Sequence, residues 1–148
     1  MAGDASETAV AFSPDGSLLA SSGKGTVQLW DAATRRPVGK PLNAKTKEVS
    51  EVAFSPDGSL LAADGGSAYD TVMLWDPATR ERVGKLVTDT MVFSVAFSPD
   101  GSLLAAGGDD GAVRLWDPFT GRLVRGPPHS PTHRAAAIAT PDTMEPSR

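Results

Sequence analysis

The side chains that could do chemistry in this chain are few, and their spacing decides how far each can go. Both histidines, His129 and His133, lie four residues apart towards the C-terminus. On a helix that spacing would put two imidazoles on one face as metal ligands. Pro131 stands between them and breaks the helix, and no cysteine or nearby carboxylate completes a ligand set. A serine, histidine and aspartate relay fails for a related reason, since the histidines sit in a proline-rich tail with no pocket to hold them against a serine. Asp109 and Asp110 form an acidic pair, yet Gly108 and Gly111 flank them, and Gly-Asp-Asp-Gly is turn chemistry rather than paired acid catalysis. Asp31, Asp76 and Asp117 each follow a tryptophan and open a turn in the same way. Gly23-Lys24-Gly25-Thr26 lacks the spacing and the following helix of a phosphate-binding loop. The absence of cysteine removes thiol nucleophiles, disulfides and Cys-based metal sites together. These residue types point away from an enzyme, from a metal and from a cofactor.

What positions the aspartates and tryptophans is a repeat. FSVAFSPDGSLLAAGGDDGAVRLWDPFTGRLV from Phe93 has earlier copies, TAVAFSPDGSLLASSGKGTVQLWDAATRRPV from Thr8 and SEVAFSPDGSLLAADGGSAYDTVMLWDPATRERV from Ser50. Phe12, Phe54 and Phe97 are spaced by 42 and 43 residues, whereas Trp30, Trp75 and Trp116 are spaced by 45 and 41. The mismatch places an insertion of about three residues between Ala63 and Thr71, where Gly65 to Tyr69 lengthen one turn.

Each copy is punctuated alike. Ser-Pro-Asp-Gly at 13–16, 55–58 and 98–101 suits a type I turn that ends on a glycine with positive φ. It joins Val10-Ala11-Phe12, Val52-Ala53-Phe54 and Val95-Ala96-Phe97 to second strands at 18–20, 60–62 and 103–105. A third strand, Val113 to Trp116 in the last copy, has the β-branched and aromatic residues that strands favour, and a short charged fourth strand follows, such as 80–85. Apolar residues on both faces of the inner strands imply sheets covered on both sides, and the charged fourth strands imply a wet outer edge. That gradient is expected of four-stranded antiparallel sheets stacked around an axis.

These units resemble WD repeats, which build the blades of β-propellers, and the resemblance covers about Thr8 to Arg125. The fold expected is all-β: a partial β-propeller of three four-stranded antiparallel blades, an open arc at about 7–42, 49–87 and 92–125. A proline-rich tail, 126–148, is expected to be mostly disordered, with a degenerate start of a fourth blade at 135–140. The signature residues are Trp30, Asp31, Trp75, Asp76, Trp116 and Asp117, together with Asp110. Family repeats usually carry a Gly-His before the first strand and an Asp six residues before the Trp, joined in a buried network. The His position falls on Gly3, Lys45 and Thr88, and the Asp position on Lys24, Tyr69 and Asp110. With the network incomplete, the blades are expected to lean on apolar packing.

Three blades fall short of the four to eight of a closed propeller. If each bare end face leaves about five large apolar side chains in water, at roughly 1.5–3 kcal/mol apiece, each forgoes on the order of 10 kcal/mol, as much as a typical domain's net stability. The expectation is self-association or additional blades from another chain, or membership of a longer protein.

What the resemblance implies about function is a non-catalytic scaffold for protein–protein interaction. Its partners would touch the rim loops at Lys45, Lys47, Glu48, Tyr69, Asp70 and Met91. The alternative is an appendage of a larger regulator, such as one linked to a kinase or NTPase, and an enzyme is the least favoured class. The net charge of −4 and scattered basic residues disfavour nucleic acid. No apolar run approaches 20 residues and no basic-then-apolar leader is visible, so no membrane partner is expected and the expected location is cytoplasmic.

Overall fold

The computed structural model describes residues 9–45, 49–64, 71–88, 92–108 and 110–125, apart from the side chain of Phe93. Among the described residues, twelve strands form three antiparallel sheets of four, each in sequential order. Blade one is β1 (Val10–Phe12), β2 (Leu18–Ser22), β3 (Thr26–Asp31) and β4 (Leu42–Asn43). Blade two is β5 (Val52–Phe54), β6 (Leu61–Asp64), β7 (Thr71–Asp76) and β8 (Glu81–Val87). Blade three is β9 (Val92–Phe97), β10 (Leu104–Gly108), β11 (Val113–Asp117) and β12 (Arg122–Arg125). The first strands β1, β5 and β9 approach one another from blade to blade, so they form the inner side of an unclosed arc. The expected fourth-blade start at 135–140 lies outside the described residues.

The Ser-Pro-Asp-Gly turns fold as their residue types dictate. Gly16, Gly58 and Gly101 take φ of 76°, 79° and 77°, a region closed to most side chains. The N–H of each donates to the carbonyl of its turn's serine at 2.9 Å. One Asp15 carboxylate oxygen accepts from the Ser17 N–H and from the Ser13 and Ser17 hydroxyls, and Asp57 and Asp100 repeat the pattern. These bonds, led by the N–H of the serine after the glycine, hold all three carboxyls below the ordinary aspartate value. Consecutive turns also touch: a Cβ added at Gly58 would lie 3.6 Å from Pro14, and one at Gly101 would lie 3.5 Å from Pro56.

The outer strand of blade one differs from its counterparts. It shrinks to Leu42–Asn43 plus an isolated bridge between Trp30 and Pro37. Pro37 and Pro41 have no N–H to give the ladder, which explains the gap.

Two apolar joints hold the arc together. Ala20, Val27 and Leu29 of blade one pack on Val52, Leu61, Met73 and Trp75 of blade two. Ala62, Val72 and Leu74 of blade two pack on Val95, Leu104 and Trp116 of blade three. Each blade therefore has a bulky leading face that carries its tryptophan and a smaller trailing face that receives the next. Burial along the third strand reports the blade's place. In β7 the four residues Val72 to Trp75 are all buried, because both faces are covered. In β3 only Val27 and Leu29 are, because the face carrying Gln28 and Trp30 is open. The second strands of blades two and three are buried throughout, but Leu19 and Ser21 on the open face of blade one are only half-buried, for the same reason.

Candidate interaction site

The leading face of blade one leaves an apolar surface in water. Val10 and Phe12 are 63% and 64% exposed, while Phe54 and Phe97, their counterparts at the next two joints, are half-buried against the cores. Leu19 and Trp30 lie beside them, both half-buried. The Trp30 indole N–H donates to Ser21 Oγ at 2.9 Å, which fixes its ring on the open face. In blade three Ala106 stands at the place of Ser21, and the buried Trp116 Nε1 has no acceptor. The opposite end of the arc is better sheltered than the sequence suggests: Leu115 and Ala105 on the trailing face of blade three are each 4% exposed.

The joint between blades two and three carries polar residues with no counterpart elsewhere. Asp64, at the end of β6, is fully buried, and its Oδ1 accepts the N–H groups of Ser50 and Glu51 and the Ser50 hydroxyl at 2.8–3.2 Å. The register places Ser22 at the same point of blade one, where its Oγ accepts the N–H of Ala9. Glu51, positioned by Asp64, reaches across the joint and accepts the N–H of Val95 at 2.7 Å, on the free edge of β9. Burial pushes the Glu51 carboxyl above its ordinary value, the Val95 N–H pulls it back, and the charge on Asp64 adds to the rise. Arg114 is buried where blade two has Met73, and its Nη2 lies 3.1 Å from Asp110 Oδ2. That bond, more than the Ala112 N–H, lowers the Asp110 carboxyl.

The signature residues sit where the repeat requires them. Trp75 and Trp116 fill the two joints. The carboxylates of Asp31, Asp76 and Asp117 each accept the N–H groups two and three residues on, so they are spent on their turns. Asp110 likewise serves a turn. Of the rim residues, Lys45 is exposed in a left-handed conformation, φ 59°, with its N–H donating to Asn43 Oδ1 at 2.8 Å. Lys47, Glu48, Tyr69, Asp70 and Met91 lie outside the described residues. Among the described residues no group of three or more His, Cys, Asp or Glu could hold a metal ion, and no helix is long and apolar enough to cross a membrane.

Residues that sequence reasoning passed over are Glu51, Asp64 and Arg114. Their signal was difference between the copies: Glu51 stands where the others have Ala9 and Ser94, and Asp64 where they have Ser22 and Gly107.

Comparison with known proteins agrees with this architecture. The family model for the WD domain, G-beta repeat, matches residues 5–31, 36–76 and 81–117. Its last two matches begin at or just ahead of the outer strand of one blade and end in the third strand of the next, so the sequence unit is offset from the blade by one strand. Among curated protein sequences none matches. Among solved structures, a chain of Kuenenia stuttgartiensis hydrazine synthase superposes with a TM-score of 0.72 at 23% identity, over 79% of this chain and 34% of that one. The chain spans about a third of that neighbour's length, and the likeness is one of fold.

Proposed function

We propose, from the premise that the chain belongs to the WD-repeat family, that it is a non-catalytic scaffold that holds other proteins by surface contact. The observation that supports this reading is the contrast at Phe12, 64% exposed on a face whose equivalents are closed at both other joints. The carboxylates of the described turns are engaged by their own backbone, so what this surface offers a partner is mainly apolar, and burying one such aromatic is worth roughly 1.5–3 kcal/mol. Lys45, with Lys47, Glu48, Tyr69, Asp70 and Met91 of the rim loops, would add further partner contacts.

A photo-crosslinking phenylalanine analogue tests this at two sites of nearly equal exposure. Phe12 is 64% and Phe119 is 65% exposed. In cells expressing the full chain, the scaffold reading expects protein adducts from position 12, several-fold above those from position 119. Equal yields at the two positions, or none at either, overturn it.

A further inference from the structure

The geometry points to a second copy of this chain as the partner of the open face: the leading face of blade one receives the trailing face of another copy's blade three, and two copies close into a six-bladed ring. This rests on the scaffold reading above and names its partner. The reason is that the missing joint would have the same composition as the two present. The leading residues are Val, Phe, Leu and Trp in every blade: 10, 12, 19 and 30; 52, 54, 61 and 75; 95, 97, 104 and 116. The trailing residues are Ala, Val and Leu in every blade: 20, 27 and 29; 62, 72 and 74; 105, 113 and 115. A bulky set on a small set is the pairing both internal joints use. Two leading faces would set bulk against bulk.

The turns give a separate indication. Gly58 lies against Pro14 and Gly101 against Pro56, each glycine meeting the proline of the preceding blade. Gly16 has nothing within 4 Å of its Cβ position, and among the described residues Pro99 is the proline without a following blade. A head-to-tail contact would seat Pro99 of one copy beside Gly16 of the other. Such a contact is heterologous, and a rotation of half a turn closes it into a ring within the propeller range of four to eight blades. Leu115 and Ala105 are already sheltered in the single chain, at 4% exposure, so the second copy has to displace that shelter. Association is therefore concentration-dependent.

Sedimentation velocity over a wide concentration range tests the full chain and two variants, Phe12→Arg on the leading face and Val113→Arg on the trailing face. The parent chain should rise from 15.3 kDa to twice that mass and stop. Each variant alone should stay at the lower mass. Mixed in equal amounts they should regain the dimer, because the intact trailing face of one meets the intact leading face of the other. Circular dichroism checks that both fold. Should Val113→Arg not fold, Ser17→Cys and Pro99→Cys in this otherwise cysteine-free chain replace the pair: a short bis-maleimide should join the two variants to each other more than either to itself. A parent chain at 15.3 kDa throughout, a mixture without dimer, or preferential like-with-like crosslinks overturn the inference. Protein adducts at position 12 that contain a different protein would leave the scaffold reading standing while this one fell.

Discussion

Truncating the three tryptophans one at a time reads the direction of blade packing. Trp75 is 2% exposed at the first joint, so Trp75→Ala should cost about 3–5 kcal/mol, the usual loss for a buried aromatic. Trp30 occupies the same register but faces water and is half-buried, so its loss should be about half of that, roughly 1.5–2.5 kcal/mol. The exposed hydrogen bond to Ser21 adds ~0.5 kcal/mol. Trp116 is the informative case. If cover came simply from having neighbours on both sides, only the middle blade would be sensitive. Because each tryptophan leans on the preceding blade, Trp116→Ala should fall near Trp75→Ala, lower by about 1 kcal/mol because an unpaired buried N–H is removed with the ring. The gap between Trp75 and Trp30 is then about 1–2 kcal/mol. At an m of about 1–3 kcal/mol/M it moves the urea midpoint by roughly 0.3–2 M. The series belongs in a Phe12→Arg background followed by circular dichroism, since a second copy on the open face would bury Trp30 and shrink the gap. A Trp30→Ala loss equal to that of Trp75→Ala in that background would refute the leading-face assignment.

Two further substitutions address the polar sites. Ala106→Ser restores at the second joint the hydroxyl that Ser21 offers Trp30, and should stabilise by about 0.5–1.5 kcal/mol in a urea titration if the Trp116 N–H takes it up. Glu51→Gln tests the pH dependence of the same joint. The folded-state Glu51 pKa is raised, so the folded chain binds that proton more tightly than the unfolded chain, and stability should fall as pH rises from the ordinary glutamate value through the raised one, then level off. The lowered carboxyls of Asp15, Asp57 and Asp100 act oppositely, losing stability as pH drops below their ordinary value, so the quantity to compare is the parent-minus-Glu51→Gln difference. A difference that does not change with pH would show that Glu51 is not the group involved.

The strands and turns were legible because they repeat. Three copies of Ser-Pro-Asp-Gly and of Leu-Trp-Asp fix where the chain reverses and which residues must share a face, and the observed register follows them to within a residue or two. The joints are mainly apolar, as the incomplete His and Asp network led one to expect, but at blades two and three Asp64, Glu51 and Arg114 are drawn in as well. None of these is visible to a search for recurring residues, because each occurs once, and their roles depend on which strand ends meet across a joint.

That non-repetition has a physical use. When the apolar sets at every joint are the same, apolar packing alone does not distinguish the correct neighbouring blade from another blade of the same type. A bond from Glu51 to the edge N–H of Val95 can form only where blade three follows blade two, since Ala9 and Ser94 at the equivalent positions carry no carboxylate. A wrong blade in that place would leave Glu51 half-buried beside Asp64 without its donor, a desolvated charge near a like charge, which costs more than the correct bond gains. Polar groups of this kind add little net stability and much discrimination. The open joint has no such group on either side, since its inner edge carries Ser94 and Val10, and so a second copy can enter there without meeting an unpaired charge.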